Sequence, residues 1–73
     1  MTTQAVTLAE IHRILEITDR LGIHRESVVI PLGRRAPGSV RRMPGGKVQI
    51  VVDAGDFEAW LPGLEAEIRR AME

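Results

Sequence analysis

The stretch Val40-Arg41-Arg42-Met43-Pro44-Gly45-Gly46-Lys47-Val48-Gln49-Ile50-Val51-Val52-Asp53 decides the fold. Proline presets φ and glycine accepts positive φ, so Pro44-Gly45-Gly46 reads as the turn of a hairpin between strands 40–43 and 47–53. In the second strand Val48, Ile50 and Val52 share one face while Gln49 and Val51 take the other. The first strand carries Arg41 and Arg42 in succession, which puts one guanidinium on each side of the sheet. One of them must then lie near the helix-covered face and snorkel out, or that strand is an exposed edge.

Before the hairpin, Ser27–Leu32 (SVVIPL) reads as a further strand, β-branched and apolar. Pro31 cannot donate to a ladder, so it belongs at an edge or a strand end. Gly33–Gly38 (GRRAPG) reads as a loop. Further upstream, Thr7 and Glu10 form a capping box flanked by the staple pair Val6 and Ile11. Leu8, Ile11, Ile14, Leu15, Ile17 and Leu21 then recur at helical spacing, and Gly22 supplies a left-handed stop. A helix over about residues 8–21 follows. Downstream, Phe57, Trp60, Leu61, Leu64, Ile68 and Met72 form one helical stripe across Pro62-Gly63. Either one helix kinks at Pro62 or a short turn over 56–60 precedes a helix starting near Pro62, and the unbroken stripe favours the single bent element. Asp53 or Asp56 can cap its start, and Arg69 and Arg70 suit its end.

The expected fold is α+β and two-layered: helix, three-stranded antiparallel sheet, helix, in αβββα order, as one small domain over residues 1–73. Residues 1–5 read as a loose tail. A domain of 73 residues buries only about 60% of the surface its unfolded chain exposes. Its core then supplies roughly 3–5 kcal/mol of net stability. With no cysteine for a disulfide and no Cys/His cluster for a structural metal, association is the remaining common support. A homo-oligomer, or an accessory subunit bound to a protein partner, is therefore expected. The absence of a long apolar run or a signal peptide argues against a membrane and for the cytoplasm.

Charge is balanced overall, with ten basic and ten acidic residues, yet segregated. Arg34, Arg35, Arg41, Arg42 and Lys47 follow one another with no acid between them; Asp53, Asp56, Glu58, Glu65 and Glu67 follow with no base. The basic group is a candidate anion site, since paired arginines can grip phosphate oxygens in bidentate fashion. Its alternative is solvated loop charge, or pairing with acids of the same assembly. No aromatic lies among the arginines to stack on a base, which counts against single-stranded nucleic acid. Phe57, Trp60, Leu61, Leu64 and Ile68 are the candidate association surface; their alternative is the core.

The element order resembles that of the double-stranded-RNA-binding domain, in order alone. That family starts its last helix with lysines that cross the RNA major groove. Here Asp53-Ala54-Gly55-Asp56-Phe57-Glu58 stands there with the opposite charge, so the function does not carry over. Chemistry is poorly signalled. His12 and Glu16 are spaced for a metal or proton relay but lack a third ligand, and His24 is placed to bond the carbonyls ending the first helix. Ser27 and Ser39 have no base at motif spacing, and Gly45-Gly46 lacks the Lys-Ser/Thr of a phosphate loop. Neither catalytic activity nor a cofactor is expected.

Overall fold

The computed structural model describes residues 5–73. The chain runs through helix α1 (Leu8–Arg20), strands β1 (Val28–Val29), β2 (Ser39–Arg42) and β3 (Val48–Val51), and helices α2 (Phe57–Trp60) and α3 (Leu64–Met72). The expected tail lies mostly outside the described residues. Ala5 is exposed, but Val6 is buried and its amide donates to the Leu32 carbonyl at 2.9 Å.

Local signals act where the chain carries them. Thr7 accepts from the Glu10 amide at 3.2 Å, and Glu10 accepts from the Thr7 amide at 2.9 Å, closing the capping box. At the other end Gly22 has φ 77°, and the Ile23 amide reaches the Thr18 carbonyl at 2.9 Å while that of Gly22 reaches Asp19 at 3.1 Å. Those two bonds satisfy carbonyls that a helix end leaves open. Thr18 is fully buried, and its hydroxyl donates back to the Leu15 carbonyl at 3.0 Å.

The hairpin forms as read, with β2 and β3 antiparallel and Arg41 opposite Gln49, Arg42 opposite Val48. Gly45 and Gly46 take φ of 86° and 81°. The all-antiparallel sheet does not form. β1 runs parallel to β3, with Val28 beside Val48 and Val29 beside Gln49, and the strand order is β1-β3-β2. The mixed sheet has a physical reason. β3 is the most apolar strand, and the centre buries it on both edges. The strand expected over 27–32 stops at Val29, ahead of Pro31. Beyond it Arg35 regains β3: its amide donates to the Val52 carbonyl at 3.0 Å, and the Ala54 amide donates to the Arg35 carbonyl at 2.8 Å. Arg35 thus stands on the β1 side of β3 and Ser39 on the β2 side, opposite Val51. The intervening residues carry the chain across the end of the central strand.

Val48, Ile50 and Val52 present one fully buried face, covered by Ile14 and Ile17 of α1 and by Phe57, Leu61, Leu64 and Ile68. The stripe is continuous because Leu61–Gly63 make a 3₁₀ turn with helical dihedrals, Leu61 at −58°, −41° and Gly63 at −87°, −6°. Pro62 lacks the donor an α-turn would need, and the tighter turn bends the helix without turning its apolar side away from the sheet. Each fully buried Ile, Leu or Val of this size contributes on the order of 1.5–3 kcal/mol through burial.

Candidate interaction surface

Arg34, Arg35, Arg41, Arg42 and Lys47 are adjacent in sequence but part in space. Arg34 turns inward. Its guanidinium pairs with Glu10, both side chains being largely buried (9% and 18% exposed), and also donates to the Ala5 carbonyl at 3.5 Å. It ties the 30–38 link to the start of α1. Arg35, Arg41, Arg42 and Lys47 stay exposed. Strand register assigns their faces. Arg41 lies beside Gln49 and Arg35 beside Asp53, on the side away from the helices; Lys47 precedes Val48 and shares that side. Val29 joins them there through Gln49. Arg42, beside Val48, leans toward the helical layer from the free edge of β2. Among the described residues none of these four cations has an ion pair.

The acids behave differently, because most have partners within the chain. Glu58 receives two bonds from the Arg13 guanidinium, at 3.1 and 3.2 Å, which staples α1 to α2. Glu65 meets Arg20 at 3.5 Å and Arg69 at 2.9 Å. Asp56 caps α2, accepting from the amides of Glu58 and Ala59 at 3.1 and 3.4 Å. Asp53 accepts from the Gly38 and Gly55 amides, each at 2.8 Å. Of the segregated acids, Asp56, Glu58 and Glu65 are matched on the helices and Asp53 by backbone amides at the end of β3. Among the described residues Glu67 has neither hydrogen bond nor ion pair, and Arg35, Arg41, Arg42 and Lys47 stand without ion pairs on the sheet.

The carboxyls of Asp53 and Glu10 titrate below their ordinary values. Hydrogen bonds from the Gly38 and then the Gly55 amide hold Asp53 down against a smaller opposing effect of burial. The Thr7 amide is the main cause for Glu10, with burial opposing and Arg34 assisting. A depressed folded pKa makes each carboxylate stabilising above its unfolded pKa, and that support disappears as pH falls through the folded value. Urea midpoints are expected to be flat from pH 7 to about 5 and to drop below about pH 4. Asp53→Asn should shrink the drop; an unchanged acid limb would show that Asp53 does not contribute to it.

The expected association surface lies elsewhere than on the outside. Phe57, Leu61, Leu64 and Ile68 are buried within the monomer, and Trp60 is half-buried, its ring centroid 5.9 Å from that of Phe57. β3 offers an all-apolar face, and the helical stripe is what covers it. Among the described residues, the large apolar side chains left exposed are Leu8 and Leu32. His12 and His24 are exposed. Among the described residues no group of three His, Cys, Asp or Glu could hold a metal ion, and no helix is long and apolar enough to cross a membrane.

One feature of the surface has no counterpart in the sequence pattern. Arg70, taken there only as a charge suited to the helix end, stands with Glu67 and Ala71 along a shallow groove whose other wall is Gly38, Ser39 and Val40 of the β2 edge. No local pattern could have announced this, since the groove exists only once α3 lies along β2. Comparison of the chain with protein-family models, with curated proteins and with solved structures gave no match.

Proposed function

We propose that this chain is a non-catalytic interaction domain that receives an acidic protein partner on its sheet layer. The observation that carries the reading is the unmatched charge of Arg35, Arg41, Arg42 and Lys47, while Asp53, Asp56, Glu58 and Glu65 are already paired or hydrogen-bonded within the chain. Exposed cations steer an acidic partner and set its orientation, more than they supply raw affinity. Self-association through the helical stripe fits less well, because that stripe is core.

Nucleic acid is the rival. It would find phosphate contacts here but no stacking platform, since Phe57 and Trp60 both belong to the helical layer. Fluorescence anisotropy with labelled poly-glutamate and labelled duplex DNA separates the two. Poly-glutamate is expected to bind at 0.05 M salt, weaken at 0.15 M as screening sets in, and be lost when Arg41 and Arg42 both become Glu. Tighter binding of DNA than of poly-glutamate at 0.15 M salt would favour the nucleic-acid reading. No binding of either at 0.05 M would overturn both.

A further inference from the structure

The free edge of β2 narrows the partner to one shape. In an antiparallel pair, hydrogen-bonded residues alternate with non-bonded ones. The Met43 amide donates to the Lys47 carbonyl at 2.7 Å, which fixes the phase: the pairs Arg41–Gln49 and Ser39–Val51 turn their polar groups toward each other. Val40 and Arg42 therefore turn their amides and carbonyls outward, and among the described residues no backbone or side-chain bond takes them. Four residues of strand edge stand open, at the limit of one side of the sheet.

The charges on that edge have no counterpart within the sheet. Arg41 faces Gln49 and Arg42 faces Val48, both neutral. An added strand would place successive side chains on opposite faces, one beside Arg41 and the next beside Arg42. Two consecutive acids would then each meet an arginine. Arg70 stands along the same groove and adds to the attraction; Glu67 beside it opposes. A second copy of β2 is a poor occupant, because it would set arginines against arginines.

We infer, on the footing of the interaction reading above, that β2 is a docking edge for an extended acidic segment of another protein, which adds as a fourth strand with adjacent carboxylates on Arg41 and Arg42. The backbone supplies the pairing and the arginines select the sequence, as in other cases of strand addition. The open edge is held in reserve for that partner, while its positive charge discourages like-with-like pairing.

The test uses the whole chain, ¹⁵N-labelled, with the blocked hexapeptide Thr-Val-Glu-Glu-Val-Thr and its Gln-Gln analogue. At saturating acidic peptide, hydrogen exchange of the Val40 and Arg42 amides is expected to slow about tenfold or more, the size of one hydrogen bond to two bonds gained. Arg41→Gln with Arg42→Gln should weaken the peptide about tenfold, as two partly exposed ion pairs allow. Binding with unchanged exchange at Val40 and Arg42 would overturn the strand addition and leave the interaction reading standing. Equal binding of the Gln-Gln peptide would overturn the acidic selection. No binding of the acidic peptide at 0.05 M salt, together with none of poly-glutamate, would remove both.

Discussion

Replacing Gly38 by alanine is expected to remove most of the stability of this domain. A Cβ there would lie 2.7 Å from the Asp53 amide nitrogen, 2.8 Å from the Val51 carbonyl oxygen and 2.9 Å from the Asp53 Cα. All three atoms are backbone at the end of the central strand, so no side-chain rotation can relieve the clash. Opening the gap would also stretch the bond from the Gly38 amide to the Asp53 carboxylate, and with it the crossing that lets β1 and β2 occupy opposite edges of β3. Overpacking against a site that cannot yield costs about 3 kcal/mol. A domain of this size has roughly 3–5 kcal/mol to lose. The melting temperature should fall on the order of 15 °C, measured by circular dichroism. Gly33→Ala is the control, since a Cβ there meets nothing within 4 Å and its φ is not left-handed. It is expected to change stability by less than about 0.5 kcal/mol. A Gly38→Ala protein as stable as that control would show that the strand end is soft.

Glu10→Ala is expected to have the second-largest effect, about 3 kcal/mol in urea unfolding. One part is the capping box, worth about 1 kcal/mol. The larger part is the removal of a carboxylate from beside the Arg34 guanidinium, whose side chain is only 9% exposed. Withdrawing one member of a largely buried pair costs more than the pair ever contributed, because the remaining charge has lost its water as well. Arg34→Leu should cost less, since Glu10 is the more exposed partner and keeps its bond from the Thr7 amide. A double-mutant cycle would give the coupling between the two. Independent, additive losses would mean that the pair is not coupled and that Arg34 belongs with the other exposed cations.

The legible parts of the fold are those decided within a few residues. The capping box, the Gly22 stop, the Pro44–Gly46 turn and the bent stripe from Phe57 to Met72 each depend on chemistry between near neighbours, and each formed. The pairing of β1 with β3 depends on a choice between distant strands. It turned on Pro31, which ends β1 early, and on a link long enough to cross to the other edge. The sites followed the same division. Arg34 and Arg35 are consecutive, yet one is folded against Glu10 and the other stands on the open sheet. Glu10 lies 24 residues away from Arg34, beyond the reach of any local pattern. Phe57, Leu61, Leu64 and Ile68 were correctly seen as one apolar stripe. Whether it faced a partner or the chain's own sheet depended on how much apolar face β3 would need covered.

The strand made last is the one in the middle. β1 and β2 have no bonds to each other, so nothing built before Val48 can assemble as a sheet. The hairpin is the local event and closes in about 1–10 μs. β1 must then find its place across the 30–38 link, at an entropic cost that grows only slowly with length. The folding nucleus should accordingly contain the Pro44–Gly46 turn and β3, with β1 and the Arg34 clamp arriving after the barrier. Substitutions in the turn would then slow refolding, whereas those in β1 or at Glu10 would mainly hasten unfolding. Between those two events the newly formed β3 has one bare edge, and closing it is the last task β1 performs.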